Sequence, residues 1–305
     1  RRITLPDPAN DLVEILLPVA EKDRDAPLHR VVPGRALSEA RERLLSLLPD
    51  SDFRAELARE LEACWHEGAT LPGAFAAAMV RELHQAGVFV LSPERPELQR
   101  AALPVLLAEA RDAAERGRVL EARAQALEKA GFHRQVPLLE GGVNLFLEGK
   151  AGRDRLFLED AGGDEDPRFR LRREGTVLSL EALEAIGEEE PARLSPNVLL
   201  RPVVESHLVP TLAYVAGPGE LAYYAQTAPV FEAHGMVQPV IHPRLSATVM
   251  ETKVGKVLEK FDLPLQALAR PHHQLAGEVI RDELPDTVRK AIGAFRGAVA
   301  RSARE

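Results

Sequence analysis

The first half of the chain has the hydrophobic spacing of amphipathic helices. One apolar stripe recurs every four residues, at Phe53, Leu57, Leu61 and Trp65. The segment from Pro96 to Gly131 predicts the clearest helix, because it is rich in Ala, Leu, Glu and Arg and has no proline after Pro104. The short apolar run 88–92 predicts a buried strand, and the run DLVEILLPVA near the N-terminus fits either a strand or the start of a helix.

After Val136 the hydrophobic period changes from that of a helix to that of a strand. The segments VNLFLEG and DRLFLED alternate apolar and polar residues, and the intervening Lys150 to Arg153 predict a hairpin turn. A second strand pair follows in RFRLRREGTVLS and turns at Glu174 and Gly175. Residues 136–190 are therefore predicted to form a small antiparallel β insertion in a helix-rich chain.

The segment from Thr211 to Pro243 predicts a βαβ unit. TLAYVAG is an apolar run that enters a glycine turn, the next eighteen residues favour a helix, and VQPVIHP predicts a second strand. Two strands joined by a crossover helix are parallel, and ligands bind parallel sheets at the carboxyl ends of the strands. Residues 217–220 and 242–246 are accordingly predicted to lie on one functional edge.

The C-terminal segment is predicted to be helical. Its apolar residues are spaced four, three and four apart, at Val288, Ile292, Phe295 and Val299. This spacing fits the start of a coiled coil, and it fits equally a helix that turns one apolar face to a core.

Composition and charge exclude several classes of function. The chain carries a net charge of −8, with arginine and glutamate interleaved, so nucleic acid is not expected as a partner. The single cysteine, Cys64, excludes an internal disulfide and favours a cytoplasmic location, and no apolar run is long enough for a membrane span. Because the chain starts at Arg1 without methionine, we expect it to be a segment of a longer protein.

The turn Gly217-Pro218-Gly219-Glu220-Leu221-Ala222 has the glycine spacing of a dinucleotide-binding loop. Pro218 removes an amide N–H that a diphosphate would use, and Glu220 places negative charge where an anion should bind. No acidic residue follows the next strand, so only an NADP-dependent oxidoreductase, with Arg244 at the extra phosphate, stays open as an alternative.

The same turn suits a molecule that carries both an amine and a carboxylate. Glu220 beside Tyr223 could bind an ammonium or hydroxyl groups, while the amides at Gly217 and Gly219 could bind a carboxylate. The alternative for Glu220 is a carboxylate that caps its own helix. Tyr224 is predicted to pack on the sheet.

Polar residues flank this turn on both sides. Upstream, three prolines fix the chain around Ser195, Asn197 and Arg201, which could form a carboxylate pocket or a surface turn. Downstream, a base, a guanidinium and a hydroxyl could bind a nucleotide or an acyl group, or could precede a helix cap; they are His242, Arg244 and Ser246. The adjacent His272 and His273 lack further ligands, so no metal is predicted.

Two motifs in this region resemble the BshC family of bacillithiol synthesis. They are SPNVLLRPV, at 195–203, and AYVAGPGELAY, at 213–223. A weaker resemblance extends through GVFVLSPERPELQR, the VNLFLEG hairpin and the C-terminal helix, and so covers essentially the whole chain. The family implies an α/β fold with a Rossmann-like, nucleotidyltransferase-like core built on a parallel sheet, small insertions, and a C-terminal coiled coil that forms a homodimer.

With this resemblance the chain divides into four predicted segments. Residues 1–135 would form part of the Rossmann-like core with a helical insertion at about 36–68, and residues 136–190 the antiparallel insertion. Residues 191–265 would complete the core with the βαβ unit. Residues 266–305 would form the start of the coiled coil, which is truncated at Glu305.

The resemblance also implies a reaction. It would join the carboxyl group of L-cysteine to the amine of glucosaminyl malate, with ATP or ADP as possible cofactors and no metal. The glycine-rich segment and the histidine motif that complete the family's nucleotide pocket have no counterpart in this sequence. We therefore expect the chain alone to be catalytically incomplete, and we assign no catalytic residue. A non-catalytic coiled-coil scaffold is the third hypothesis.

Overall fold

The computed structural model describes most of the chain. It covers residues 2–7, 11–23, 26–150, 152–159 and 166–283, together with Pro285, Thr287, Val288, Lys290 and Ala291. The chain forms two compact units, Arg1–Arg244 and Leu245–Glu305. Within the described ranges, no helix has both the length and the apolar character needed to cross a bilayer.

The N-terminal part of the first unit combines a hairpin with three helices. Strands β1 (Arg2–Pro6) and β2 (Leu12–Leu16) pair antiparallel, and helices α1 (Arg35–Leu47), α2 (Arg54–Cys64) and α3 (Leu71–Leu83) follow. The side chain of Thr70 caps α3 by accepting the Gly73 N–H. The predicted strand at 88–92 is wrong, because this run pairs with no described strand and most of its side chains are exposed.

The long helix predicted after Pro96 is two helices in the structure. Helix α4 (Pro96–Arg111) ends at Asp112, whose backbone leaves the helical region, and α5 (Ala113–Lys129) begins immediately afterwards. The Asp112 carboxylate accepts a 2.9 Å hydrogen bond from Arg116 in the first turn of α5. The two helices can therefore present different faces to the core.

The largest sheet has five antiparallel strands. In chain order these are β3 (Gly142–Gly149), β4 (Gly152–Leu158), β5 (Arg168–Leu171), β6 (Val177–Ser179) and β7 (Leu194–Pro196), and they lie in the order β6-β5-β4-β3-β7. Both predicted hairpins are confirmed. The sheet also contains β7, which was not predicted and pairs with β3 so that Phe146 opposes Ser195.

The predicted βαβ unit is present. After α6 (Leu180–Glu189) and α7 (Arg201–Leu208), strand β8 (Ala213–Ala216) leads into α8 (Pro218–Ala233) and then β9 (Val240–Pro243), and β8 and β9 pair in parallel. Among the described residues, parallel pairing is confined to these two strands. The expectation that a parallel sheet forms the core is therefore not met, because the main sheet is antiparallel.

The second unit contains α9 (Thr252–Lys260) and α10 (His272–Glu283). Three residues of the predicted coiled-coil seam, Ile292, Phe295 and Val299, lie outside the described residues. The coiled coil therefore stays a prediction.

One hydrophobic core joins the main sheet to the helices from α4 to α8. It draws buried side chains from α4, α5, α6, α7, α8 and the sheet, among them Leu106, Leu145, Leu183, Val203 and Phe231. The antiparallel sheet thus shares its core with α8. The division into four segments stays a prediction.

Candidate functional site

Glu220 occupies the start of α8, immediately after strand β8. Its Oε2 accepts a 2.7 Å hydrogen bond from the N–H of Gly217, the N-cap of the helix, and its Oε1 accepts a 2.8 Å hydrogen bond from the hydroxyl of Tyr214. Pro218 at the first helical position lacks an N–H and so leaves no donor unsatisfied there. The carboxylate is therefore held in one position at the carboxyl end of β8.

These contacts favour the charged form of Glu220. The Gly217 N–H has the largest effect and the Tyr214 hydroxyl the next, and together with the positive charge of Arg244 they hold the pKa of the Glu220 carboxyl below its usual range, against the opposing effect of burial. Glu220 thus carries a negative charge at neutral pH. The capping role that the sequence left open is confirmed.

Arg244 lies against Gly217. The backbone N–H of Arg244, just after β9, donates a 2.8 Å hydrogen bond to the carbonyl of Ala216, at the end of the parallel pairing of β8 and β9. A Cβ atom at Gly217 would overlap with the guanidinium group of Arg244 and would lie 3.5 Å from Oε2 of Glu220. Glycine at this position therefore lets a positive group and a negative group approach the same turn.

The three tyrosines form one stack beside Glu220. The ring centroids of Tyr214 and Tyr224 are 4.7 Å apart, and those of Tyr223 and Tyr224 are 5.3 Å apart. Tyr224 is buried, as predicted, whereas Tyr214 and Tyr223 are half-buried. Burial raises the pKa of all three phenols, and the charge of Glu220 raises it further, so each hydroxyl keeps its proton at neutral pH.

An open cleft of about 500 Å³ brings five predicted residues together. These are Gly217, Gly219, Glu220, Tyr223 and Arg244. Its other lining residues are Pro218 and three that were not predicted, Gln135, Val136 and Val198. Val136 is held there by the buried amide of Gln226, which accepts from its N–H at 2.8 Å and donates to its carbonyl at 3.1 Å. No local sequence pattern signals this contact across ninety residues.

Ser195 and Arg201 are not part of the cleft lining. The Ser195 hydroxyl accepts a 2.9 Å hydrogen bond from Nε of Arg153, and Nε of Arg201 donates at 2.6 Å to Glu205. The bond to Glu205 is the main reason that the pKa of Arg201 is raised. Their contact with a substrate stays a prediction.

Asn197 is buried in a network of polar side chains. Its Oδ1 accepts from the N–H groups of Leu199 and Leu200 before α7, and its Nδ2 donates at 2.7 Å to Oδ1 of Asn144. Asn144 in turn donates at 2.7 Å to Glu109, whose other carboxylate oxygen lies 3.1 Å from Nε2 of His234. The structure thus gives Asn197 a clear structural role, and its contact with a substrate stays a prediction.

His242 and Ser246 are both exposed and neither lines the cleft. Nδ1 of His242 lies 2.8 Å from the carbonyl of Pro243. Ser246 belongs to the second compact unit. Their predicted binding of a nucleotide or an acyl group stays a prediction.

The turn at Gly217 is suited to a zwitterion, a molecule that carries both an ammonium group and a carboxylate. The N–H of Gly217 is already bonded to Glu220, and the carboxylate would repel a phosphate at the start of α8. Glu220 could bind an ammonium group, and Arg244 beside it could bind a carboxylate. Across the described ranges, no group of three or more His, Cys, Asp or Glu side chains is arranged to hold a metal ion.

The chain is similar to proteins of one family over most of its length. The family model described as "Bacillithiol biosynthesis BshC, N-terminal Rossmann-like domain" matches residues 9–245. The chain is 37% identical to a protein of Koribacter versatilis over 78% of this chain and 43% of that protein, and 32% identical to one of Salinibacter ruber over 90% of this chain and 49% of that protein. Both relatives are named "Putative cysteine ligase BshC". The chain thus spans about half the length of these curated relatives, or less.

Proposed function

Because the chain belongs to the BshC family, we propose that its gene product is the ligase of bacillithiol biosynthesis that joins L-cysteine to glucosaminyl malate. The names of the relatives support a cysteine ligase. The observation that carries the proposal is that Glu220 and Arg244 both lie next to Gly217, in an open cleft at the carboxyl ends of β8 and β9. The comparisons support neither the oxidoreductase nor the scaffold hypothesis.

Both substrates have groups that match the charges of the cleft. Cysteine carries an ammonium and a carboxylate, so its ammonium group would bind Glu220 and its carboxylate would bind Arg244. Glucosaminyl malate carries two carboxylates and a hydroxyl-rich sugar, for which the protonated phenol of Tyr223 is a donor. Arg201 lies outside the cleft lining, and we propose its guanidinium, after that of Arg244, as the second group that binds a substrate carboxylate.

The reaction forms a C–N bond between the cysteine carboxyl carbon and the amine of glucosaminyl malate, and it breaks a C–O bond of the carboxyl group. Loss of a poor leaving group such as hydroxide is unfavourable, so the carboxyl oxygen needs activation before the amine attacks. The start of α8 does not fit a nucleotide phosphate, because Glu220 occupies the Gly217 N–H and is negatively charged. ATP or ADP as the activator stays a prediction.

We also propose that the protein forms a homodimer through its C-terminal helix. It rests on the resemblance to the family and on the apolar spacing from Val288 onward, most of which lies outside the described residues.

A strain that lacks the gene for this protein tests the proposed function. We expect it to accumulate glucosaminyl malate and to contain no bacillithiol, and the gene supplied in trans should restore the thiol. Unchanged bacillithiol in the deletion strain would refute the assignment.

A further inference from the structure

A second cavity shares the lining residue Val136 with the cleft. Its volume is about 480 Å³, which is within the range of ligand pockets. It is formed by the start of α5, the segment 136–144, and residues from β4 and from the turn before α7. Its apolar wall includes Leu120, Val136, Leu138, Val143, Leu158 and Leu199.

Arg155 is a positively charged residue of this wall and has no counter-ion among the residues that the structure describes. The other cavity arginine, Arg118, is paired with Glu115 at 2.6 Å, and Glu121 is paired with Arg134 at 2.8 Å. The side chain of Arg155 forms no ion pair or hydrogen bond with any residue in the described ranges, and its Cζ lies 5.2 Å from the centre of the Phe146 ring.

The environment of Arg155 disfavours its charge. Burial, and secondly repulsion from Arg172, lower the pKa of its guanidinium. Arg172 lines a hollow of about 370 Å³ that shares Leu139 and Glu140 with the cavity. An anion bound at Arg155 would offset the desolvation of one guanidinium and the repulsion between the two.

Besides the exposed carboxylate of Glu140, two buried amides contribute to the polar part of the wall. The Nδ2 groups of Asn144 and Asn197 each carry two hydrogens, and each donates one to a described partner, Glu109 and Asn144 respectively. Neither Nδ2 group has a second acceptor among the described residues. The network from Glu109 to Asn197 holds both amides in place.

We propose that this cavity binds a small organic anion, with its acidic group on the guanidinium of Arg155 and its apolar body against the leucine-rich wall. Carboxylate and phosphate share the anionic oxygens that a guanidinium binds in a bidentate manner. This site goes beyond the proposed ligase reaction and does not depend on it, since it lies outside the Glu220 cleft.

Four small probes test the site on the purified gene product by calorimetry and thermal unfolding. Phenyl phosphate and phenylacetate carry both the acid and the apolar body, inorganic phosphate lacks the body, and benzyl alcohol lacks the charge. We expect one of the first two to bind and to raise Tm, and the one that binds identifies the acidic group. Binding of neither, or equal affinity for inorganic phosphate and phenyl phosphate, would overturn the proposal.

Two variants locate the binding. Arg155→Gln should weaken it about tenfold or more, because it removes a charge-assisted contact. Gly117→Leu should also weaken it, since a Cβ at Gly117, which lines the cavity, meets no atom within 4 Å and the added side chain can extend into open space. Arg35→Gln, which alters an exposed ion pair with Glu39 in α1, is the control and should leave the affinity unchanged.

The proposal and a purely structural role for Arg155 predict different effects of Arg155→Gln on the Tm of the ligand-free protein. Under the proposal, Arg155→Gln should keep or raise Tm, since it removes a guanidinium that Arg172 repels and that has no counter-ion among the described residues. A lower Tm together with an unchanged probe affinity would show that Arg155 serves packing only and would overturn the proposal.

Discussion

The hydroxyl of Tyr214, on strand β8, donates a 2.8 Å hydrogen bond to the carboxylate of Glu220, on the first turn of α8. The bond spans the turn that carries Gly217, so the strand and the helix of the βαβ unit hold the carboxylate from both sides. Because Tyr214 keeps its proton, it acts as a donor and favours the charged form of Glu220.

Removal of the Tyr214 hydroxyl should destabilise the protein. We expect Tyr214→Phe to lower the free energy of unfolding by about 1 kcal/mol, since a half-buried bond to a charged acceptor is lost. Tyr224→Phe is the matched control, because the Tyr224 hydroxyl makes no hydrogen bond to the described residues, although its ring is in the same stack. Denaturant titration measures both, and equal losses would show that the Tyr214 bond contributes nothing.

The stabilisation from Glu220 should depend on pH. Its pKa is lower in the folded protein than the value of about 4.3 expected in the unfolded chain, so the folded state binds fewer protons. The contribution is therefore complete above the unfolded pKa and disappears as pH falls through the folded pKa. We expect the difference in unfolding free energy between the unmodified protein and Glu220→Gln to be constant near neutral pH and to shrink below about pH 4.3. A constant difference down to the acid transition would contradict the lowered pKa.

Gly217 and Gly219 should differ in their effect on the Glu220 carboxylate. Gly217→Ala would displace the Arg244 guanidinium and so raise the Glu220 pKa, because a favourable positive charge moves away. Gly219→Ala should leave that pKa unchanged, since its Cβ would meet only Nε2 of Gln135, at 3.8 Å. Carbon-detected NMR titration of the glutamate side chains distinguishes the two variants. The same pKa in both would mean that Arg244 does not act on Glu220.

Two helical glycines of the core region should respond to alanine with opposite signs. A Cβ at Gly187 in α6 would lie 2.8 Å from methyl groups of both Leu103 and Leu194, so Gly187→Ala should cost about 1–3 kcal/mol through overpacking. At Gly117 in α5 the same change meets no atom within 4 Å and should stabilise the protein by about 0.5–1 kcal/mol. Thermal unfolding of the two variants checks the signs, and a loss at Gly117 would show that its backbone needs glycine.

Local periodicity predicted much of the secondary structure. The alternating residues of both hairpins and the strand-helix-strand pattern around Gly217 each form contacts within a few residues, so a short window contains their signal. Strand β7 was missed because three residues are too few to show a period. The apolar run 88–92 has the composition of a strand, but a strand needs a neighbour, and the sequence of a single segment does not reveal one.

The sequence predicts the part of the candidate site that lies at the carboxyl ends of the two parallel strands. Gly217 and Arg244 follow the ends of two parallel strands, so their proximity could be expected from the βαβ pattern alone. Val136 reaches the cleft through the buried side chain of Gln226, and Asn197 is held by Asn144, 53 residues earlier in the chain. Such contacts join residues that are far apart in the chain and leave no local pattern.

The central claim is that the cleft around Glu220 and Arg244 carries the cysteine ligase activity. The most direct test is restoration of bacillithiol in a deletion strain by genes that encode Glu220→Gln, Arg244→Gln or the control Arg35→Gln, at matched protein levels. The account predicts that the control restores bacillithiol, whereas both cleft variants leave it low and glucosaminyl malate high. Full restoration by both cleft variants would contradict the account.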